Sequence, residues 1–582
     1  MGEIWRISGP VIIAKDMKGT QVYEVVEIGN EGLIGEIIGL EGDRAIIQAH
    51  EETLGLTLGE KVRGTGSILT VDLGPGIVGS IYDGIQKSLT VLMEQSSFLK
   101  RGIKASAIPL DKKWDFTPTV KEGDIVGEGD IIGTVPETSL IEHKIMIPAG
   151  MGGTVKDIRK GEFTVEETII RLESDGELVE LPMMQKWPVR KPRLYKERFK
   201  ASQLLVTGMR ILDYMFPLAL GGKAAIPGGF GTGKTVSLQQ LARWAQTHLN
   251  IYVGCGERGN EMADVLYSFR QLEDPTTGKL LQEKEIFIAN TSNMPVVARE
   301  ASVFVGITMA EYYRDMGYDI LMVADSTSRW AEAMREIGGR LEEMPGEEGY
   351  PAYLGSRLSS FYERAGLVEC LGSPSRRGSV TVAGAVSPQG GDFSEPVTQN
   401  TLRIVDALYS LDASLANRRH FPAINWLSSY SLYAEAVEGW WSEISPDWAV
   451  TRSTALRILQ QESELEEIVR LVGPEALPDG DKLLMAVARM IREDFLAQSA
   501  YHEIDTYCVP ARAHRMLKTI IKYYELAQES LNAGTDVNEL RSSPILTRIS
   551  RLKDIPNEEF EGRVKELVSD MESNLVAGNG GA

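Results

Sequence analysis

The chain has 582 residues, and its 82 acidic against 61 basic side chains give a net charge of −21. A chain of this length exceeds one hydrophobic core, and we expect about three to five domains. The acidic balance disfavours general binding to nucleic acid and docking on an anionic membrane surface. The three cysteines, Cys255, Cys370 and Cys508, form no C-x-x-C pair. They favour a reducing, intracellular compartment and argue against a disulfide framework or a zinc site.

Two β-rich blocks are predicted in the first third of the chain. Residues 1–70 contain short β-branched runs separated by Gly-Asn at 29–30 and Gly-Asp at 42–43, which is typical of a small closed barrel. We expect residues 71–116 to form a linker and the start of a nucleotide-binding region. Regular Gly-Asp turns over 117–187 predict an inserted β-rich module, in which base rates make His143 an ordinary surface or hydrogen-bonded histidine.

Residues 188–440 change to alternating strands and helices, which predicts a parallel sheet that binds its ligand at the carboxyl ends of its strands. Apolar runs predict strands at 251–255, 286–289 and 320–325, and a long helix at 296–315. From 441 to 582 apolar residues recur at helical spacing, which predicts a C-terminal helical bundle. The sequence has no uncharged apolar run of about eighteen residues and no signal-peptide pattern, so we expect no segment that spans a bilayer.

A P-loop motif is the most specific signal in the chain. It satisfies G-x-x-x-x-G-K-[ST] with Gly228, Gly229, Phe230, Gly231, Thr232, Gly233, Lys234 and Thr235. The glycines let backbone N–H groups turn toward phosphate oxygens. The lysine then supplies charge to the β- and γ-phosphates, and the threonine hydroxyl is placed to bind Mg²⁺.

The sequence on both sides of this motif separates it from a chance glycine-rich loop. An apolar run at 224–226 ends at Pro227, and apolar positions from Val236 to Leu249 predict a helix after Lys234. The N-terminus of this helix would add its dipole to the amide cradle.

Two carboxylates are candidates for the chemistry at the phosphates. Asp325 ends an apolar strand in the manner of a Walker B aspartate near Mg²⁺. Glu257 follows the strand at 251–255 and is placed to orient a water for attack on the γ-phosphate. The alternative for Glu257 is an N-capping or salt-bridged glutamate, and spacing alone favours neither.

Several long motifs, in order, make the chain resemble the catalytic A subunits of the rotary V-type and archaeal A-type ATPases over essentially its whole length. Besides the P-loop they are Gly-Cys-Gly-Glu-Arg-Gly-Asn-Glu at 254–261, Ala-Asn-Thr-Ser-Asn-Met-Pro at 289–295, Ala-Asp-Ser-Thr-Ser-Arg-Trp at 324–330 and Pro-Ala-Ile-Asn-Trp-Leu-Ser-Ser-Tyr-Ser at 422–431. The resemblance implies an N-terminal β-barrel, an inserted β-rich module, a RecA-like P-loop domain and a C-terminal helical bundle.

The resemblance also implies an activity and partners. The chain would hydrolyse or synthesise ATP with ATP/ADP and Mg²⁺ as cofactors, coupled to H⁺ or Na⁺ transport. It would alternate with non-catalytic B subunits in an A3B3 hexamer, and each B subunit would supply an arginine finger in trans. Central shaft, peripheral stalk and membrane ion-translocating subunits would complete a peripheral complex on the cytoplasmic face of a membrane, with no role for nucleic acid.

By resemblance, Lys234 and Thr235 bind the phosphates and Mg²⁺, Glu257 positions the attacking water, and Arg258 contacts the region of the γ-phosphate. Asp325 would hold Mg²⁺ through water.

Three further positions are implied less directly. Arg329 would support the network around Mg²⁺, and Phe421 and Tyr501 would enclose adenine. The alternative for the aromatic pair is a core role, and the second position could shift by one residue onto Ala500. Gly229 stands where the family commonly has proline, which bears on nucleotide affinity and removes no phosphate ligand.

Two other classes of protein remain as alternatives. One is another RecA-like hexameric ATPase, such as a termination helicase or a secretion ATPase, for which the net charge and the module at 117–187 are unfavourable. The other is the non-catalytic B subunit or a regulatory nucleotide-binding module, against which Lys234, Thr235 and Glu257 argue.

Overall fold

The computed structural model describes residues 1–95, 105–274 and 277–576. The last six residues of the predicted helical domain lie outside the described residues. The chain forms two compact units that are interleaved along the sequence. The first contains Met1–Phe199, Gly221–Lys223 and Thr247–Ile404, and the second contains Lys200–Leu220, Ala224–Gln246 and Val405–Ala582.

The first unit begins with a closed barrel, which confirms the predicted N-terminal β-barrel. Its strands, in their order around the barrel, are Gly2–Ser8, Val11–Lys15, Arg44–Ala49, Leu33–Glu41, Glu24–Ile28 and Lys61–Ile68. Alternate apolar side chains such as Ile12, Val26 and Leu33 point inward and are fully buried. The sequence did not reveal the first and last strands as apolar runs. The last strand, Lys61–Ile68, is mostly exposed and polar.

The inserted module consists of two antiparallel sheets of four strands each. One contains Ile125–Val126, Gly153–Ile158, Thr168–Ser174 and Glu177–Pro182, and the other contains Glu142–Met146, Ile131–Pro136, Trp114–Pro118 and Gly161–Phe163. The predicted start of the module at residue 117 falls inside the strand Trp114–Pro118. On the C-terminal side of the module, Gln185–Pro188 pairs antiparallel with Thr70–Leu73.

A parallel sheet forms the nucleotide-domain part of the first unit. Its strands lie in the order Arg377–Val386, Asp319–Asp325, Leu249–Cys255, Glu285–Asn290 and Ile81–Tyr82. The strand Gly366–Glu369 pairs antiparallel with Arg377–Val386. Glu197–Phe199 pairs antiparallel with Gly366–Glu369. The predicted strands ending near 255, 289 and 325 are confirmed. The helices of this unit are Leu89–Gln95, Gly259–Gln271, Val296–Asp315, Thr327–Arg340, Leu354–Tyr362 and Pro396–Leu402, with single turns at Leu281–Lys284, Glu347–Gly349 and Gln389–Gly391.

The second unit holds the P-loop strand Lys223–Pro227, apart from its first residue. This strand pairs parallel with Ala407–Leu408, which pairs antiparallel with Tyr430–Ser431. The predicted C-terminal helical domain is confirmed. The helices of the unit are Ile211–Met215, Lys234–Trp244, Ala413–Asn417, Glu438–Ile444, Trp448–Val472, Pro474–Ala476, Asp479–Met490, Ile491–Leu496, Pro510–Asn532, Val537–Arg541, Pro544–Ser550, Arg551–Asp554 and Asn557–Val576. No helix among the described residues is both long and apolar enough to cross a bilayer.

The helix after the P-loop is shorter than predicted. It ends at Trp244, because Ala245 has φ −57° and ψ 130° and no longer follows the helical path. The backbone N–H of Gln246 then donates to the carbonyl of Val206 at 2.9 Å. The prediction was wrong in including Leu249, which starts the fully buried strand Leu249–Cys255.

A buried carboxylate joins three segments of the first unit. Glu137 Oε1 accepts hydrogen bonds from the backbone N–H groups of Gly76, Ile77 and Val78 at 2.7, 2.9 and 3.0 Å. Its Oε2 is 2.7 Å from His143 Nδ1 and accepts from the Tyr313 hydroxyl at 3.0 Å.

His143 is therefore a hydrogen-bonded histidine, and it is fully buried rather than on the surface. Its Nε2 lies 2.9 Å from the Tyr312 hydroxyl. Because the ionised carboxylate of Glu137 only accepts hydrogen bonds, Nδ1 is the donor toward it. Burial alone would raise the pKa of Glu137, but the His143 contact and the backbone N–H donors hold it below its usual value.

Replacing Glu137 with alanine should destabilise the first unit by about 3 kcal/mol or more, because it leaves a buried imidazole and three backbone N–H groups without their acceptor. Calorimetric unfolding of the full chain measures the loss. Glu142→Ala is the matched control, since this glutamate lies exposed in the strand Glu142–Met146 and its loss should change stability by less than about 0.5 kcal/mol. Equal transitions for the two variants would contradict the role assigned to the buried carboxylate.

Candidate functional site

The P-loop lies between the strand Lys223–Pro227 and the helix Lys234–Trp244. Gly231 and Gly233 have φ of +78° and +81°, in the left-handed region that a side chain disfavours. Gly233 is the N-cap residue of the helix, so no side chain competes for the N–H groups of the first turn. The turn therefore presents backbone donors and the positive end of the helix dipole in one place.

Internal hydrogen bonds shape the rest of the loop. Lys234 Nζ donates to the carbonyl of Gly228 at 3.1 Å, and Thr232 Oγ1 donates to the carbonyl of Gly229 at 2.8 Å. A Cβ on Gly228 would come within 2.7 Å of Leu411 Cβ, so this glycine is required by a close approach as well as by the motif. The Phe230 ring is 89% exposed.

The aromatic pair and the P-loop line one cavity in the second unit. The cavity has a volume of about 630 Å³, and Gly231, Gly233, Phe421, Ala500 and Tyr501 are among the residues that line it. A Cβ on Gly233 would come within 3.3 Å of a Phe421 ring carbon, so this ring lies directly beside the loop. Phe421 and Tyr501 are accessible rather than in the core, with 42% and 86% of their surface exposed.

Three polar residues of this region were missed by sequence reasoning. Arg210, Gln498 and Asp505 are buried and form one hydrogen-bonded cluster. Gln498 and Asp505 line the cavity, and Arg210 does not. Their positions in the sequence are far apart and match no motif. Only the presence of a charged residue within the apolar stretch 204–219 hinted that a buried partner was needed.

The carboxyl ends of the parallel strands hold the second set of predicted residues, in the first unit. Gly254 is in register with Asp325, and Cys255 with Asn290. The Asp325 side chain is buried, and the Tyr252 hydroxyl donates to its Oδ2 at 3.0 Å. Burial and the neighbouring Asp325 charge raise the pKa of Tyr252 well above its usual value, so the phenol stays a donor.

Glu257 follows Gly256 at the turn after the strand Leu249–Cys255 and is partly buried. The N-cap position of the next helix is occupied by Arg258, which excludes Glu257 from that role. Among the described residues its carboxylate forms no ion pair and no hydrogen bond, while its backbone carbonyl accepts from Ser292 N at 3.0 Å. Glu257 is therefore neither the N-cap of the next helix nor, among the described residues, part of a salt bridge.

The two arginines differ in their surroundings. Arg258 is exposed, with Nη1 3.7 Å from Glu261. Arg329 lies in the first turn of the helix Thr327–Arg340, and its Nη1 donates to both carboxylate oxygens of Glu332 at 3.0 and 2.8 Å. A Cβ on Gly256 would come within 2.8 Å of Arg329 Cβ, so the turn before Glu257 touches this helix.

The structure thus groups the predicted residues into two sets, one in each unit. The P-loop, Phe421 and Tyr501 lie in the second unit, and Glu257, Arg258, Asp325 and Arg329 lie in the first. Among the described residues no group of three or more His, Cys, Asp or Glu side chains is arranged to bind a metal by itself.

A strand, a left-handed glycine turn and a helix that begins with lysine and threonine, next to an aromatic-lined cavity, define a P-loop nucleotide-binding protein. Residues 208–431 match the nucleotide-binding domain of the ATP synthase alpha/beta family, and residues 4–66 match the β-barrel domain of that family. Residues 105–190 match the barrel-sandwich domain of the alpha/beta subunits, and 438–541 match the C-terminal domain of V and A type ATP synthases.

Individual relatives narrow this class. The A subunit of the A-type ATP synthase of Staphylothermus marinus is 61% identical over 573 residues, which cover 98% of this chain and 96% of the relative. That of Methanopyrus kandleri is 60% identical, with 97% and 96% covered. The chain belongs to the family of A-type ATP synthase A subunits.

A more distant solved structure shares the fold alone. It is the assembled ATPase EscN of the enteropathogenic E. coli type III secretion system, with a TM-score of 0.63 and 20% identity. The match covers 90% of this chain and all of EscN.

Proposed function

We propose that this chain is the catalytic subunit of a rotary A-type ATPase, in which ATP hydrolysis or synthesis is coupled through a central shaft to H⁺ or Na⁺ transport. Its family makes it a subunit of a multisubunit, membrane-associated ATP synthase complex. The observation that carries the proposal is the start of the helix Lys234–Trp244 at left-handed Gly233. Such a cluster of backbone donors beside a lysine suits a ligand rich in anionic oxygens.

The chain offers a suitable site for each part of Mg-ATP. The P-loop amides and Lys234 would bind the phosphates. Mg²⁺ prefers hard oxygen ligands, and the Thr235 hydroxyl would provide one directly. The family resemblance assigns the Asp325 carboxylate to a water that the ion would hold. When bound, the ion would neutralise charge on the phosphate oxygens.

Adenine would occupy the cavity beside the loop. A volume of about 630 Å³ lies within the range of roughly 300–1,000 Å³ that is usual for small-molecule sites. Accessible rings such as Phe421 and Tyr501 can stack on a base through their π-faces, and stacking distinguishes little between bases.

Replacing Tyr501 or Phe421 with alanine should weaken ADP binding about tenfold, the factor that corresponds to part of one base–aromatic stacking contact. Binding of inorganic triphosphate should stay within about twofold of wild type, because it has no base. Competitive equilibrium titration of the full chain with both ligands measures the difference. Leu432→Ala is the matched control, since this side chain is also exposed and does not line the cavity. Equal losses for both ligands would argue against the adenine contact.

Glu257 would act on the attacking water. Its carboxylate has no ion pair or hydrogen bond among the described residues, so it is available to accept a proton from water and orient it for in-line attack. Arg258 and Arg329 would stabilise negative charge around the γ-phosphate. The protein's contribution is positioning and charge stabilisation, since phosphoryl transfer requires little covalent chemistry from it.

Glu257→Gln should reduce ATP turnover of the chain assembled with its B partner by at least about a hundredfold, because the amide cannot accept the proton. Nucleotide affinity should remain within about threefold, since the P-loop is unchanged. Steady-state turnover and ADP titration of the same preparation give the two values. Glu273→Gln serves as the control, because it removes the charge of an exposed glutamate that lies in a β-bridge with Leu280 and is not one of the proposed site residues. Full turnover of the Glu257 variant would show that Glu257 does not position the attacking water.

The proposed partners would supply what the site needs in addition to this chain, namely a further positive group at the γ-phosphate and a connection to ion transport. An arginine finger from a neighbouring B subunit would provide the remaining positive group, and A3B3 alternation would place it. The central shaft, peripheral stalk and membrane subunits would connect the site to ion transport on the cytoplasmic face of a membrane.

The isolated chain should bind ADP but hydrolyse ATP slowly, because a finger supplied in trans is worth roughly 10³–10⁵ in rate. Turnover measured before and after addition of the B subunit tests this. An isolated chain as active as its complex would exclude a contribution in trans.

The alternatives are less well supported. The likeness to a secretion ATPase is a likeness of fold at 20% identity, whereas the relatives at 60–61% identity are all A-type A subunits. A helicase would need basic contacts to nucleic acid, which a net charge of −21 disfavours. A non-catalytic subunit would have no use for Lys234, Thr235 and Glu257 together.

A further inference from the structure

The position of Tyr501 depends on its backbone. The side chain is 86% exposed, so packing of the ring itself does not fix it beside the cavity. Residues 497–502 and 505–506 all line the cavity, and this segment forms no regular helix or strand. Whatever fixes this backbone therefore also fixes the point at which the ring is attached.

A buried arginine provides three of the hydrogen bonds that hold this segment. Arg210 is 1% exposed, and its Nε donates to the carbonyl of Phe495 at 2.6 Å. Its Nη2 donates to the carbonyl of Ala497 at 2.8 Å, and its Nη1 to Asp505 Oδ1 at 2.6 Å. The guanidinium fork thus contacts both ends of the segment that contains Tyr501, and a lysine has no such fork.

Two further residues complete the arrangement. Asp505 Oδ2 accepts from the backbone N–H of Ser499 at 2.8 Å. Gln498 Oε1 accepts from the backbone N–H of Arg210 at 2.8 Å, and its Nε2 donates to the carbonyls of Gly208 and Asp505 at 2.8 and 2.9 Å. We call Arg210, Gln498 and Asp505 the Arg210 cluster.

The same cluster also reaches the other aromatic residue. The backbone N–H of Gln498 donates to the carbonyl of Phe421 at 2.8 Å. The backbones that carry both rings are therefore tied to one buried group, although the rings are far apart in the sequence.

We propose that Arg210 is a positioning residue for the nucleotide base, which holds the backbones of Tyr501 and Phe421 at the spacing that stacks on adenine. This inference rests on the proposed function of the cavity. Arg210 itself does not line the cavity, and it acts on the ligand through the segment that it holds. Each of the three guanidinium nitrogens donates a hydrogen bond, so the group holds the segment in place and reduces the cost of ordering that segment on binding.

Equilibrium titration of the full chain with ADP and with inorganic triphosphate tests the proposal. The variants are Arg210→Lys, Asp505→Asn, Tyr501→Ala and the double variant Arg210→Lys with Tyr501→Ala. Arg452→Lys is the matched control, because this arginine is also mostly buried in the second unit, where its Nε donates to the carbonyl of Met215 at 2.6 Å, and it does not line the cavity. Thermal unfolding is recorded for each variant.

Arg210→Lys and Asp505→Asn should each weaken ADP about tenfold and leave triphosphate within about twofold. The double variant should bind ADP no more weakly than Tyr501→Ala alone, because both changes remove the same stacking contact. If Arg210→Lys unfolds, Asp505→Asn decides, since its amide oxygen still accepts from the guanidinium, while the bond to Ser499 and the charge opposite Arg210 are lost.

Two results would overturn the inference while leaving the proposed function in place. One is an unchanged ADP affinity in both cluster variants when Tyr501→Ala weakens it. The other is a double variant whose losses add, which would assign Arg210 a general structural role. An unchanged ADP affinity in Tyr501→Ala would instead overturn the adenine contact itself.

Discussion

The first unit depends on a helix that is buried on nearly every side. In Val296–Asp315 all residues but the first are buried, including five charged ones. An unpaired charge in such a place costs several kcal/mol, so each needs a partner. Arg314 pairs within the helix with Asp315 at 2.6 Å, and the three acidic side chains pair with other segments. Glu311 pairs with Arg364, and Asp315 lies 2.6 Å from Arg193. Glu300 is 2.8 Å from Arg190, which also pairs with Glu36 of the barrel.

The same helix places the turn that carries Glu257. Arg299 Nη2 donates to the carbonyl of Ser292 at 3.0 Å, and the backbone N–H of Ser292 donates to the carbonyl of Glu257 at 3.0 Å. Gly256 leaves room for the Arg299 side chain, which would lie 3.1 Å from a Cβ at that position. The proposed water-positioning carboxylate is therefore anchored by its main chain, while its side chain remains available for chemistry.

Sequence alone was sufficient where a pattern was long or chemically specific. The helix Val296–Asp315 was predicted with its observed bounds, since twenty residues between an X-Pro start and a glycine turn leave little freedom. The P-loop and the strand ending at Asp325 were found because a complete G-x-x-x-x-G-K-[ST] motif and an apolar run that ends in a carboxylate are specific patterns. Sequence failed for the Arg210 cluster, whose members meet only after the chain has folded. It also missed the barrel strand Lys61–Ile68, because backbone pairing with two neighbours holds that strand without an apolar pattern.

The interleaving of the two units along the sequence has a consequence for the order of folding during synthesis. The P-loop strand pairs with Ala407–Leu408, whose register is Ala224 to Ala407. At a ribosomal rate of roughly 5–20 residues per second, the second of these strands emerges on the order of ten seconds after the first. Until then the nascent P-loop strand lacks this partner edge, and the segment that carries Tyr501 comes later still. The nascent chain thus acquires the residues that complete the cavity beside the P-loop only when its C-terminal third has been made.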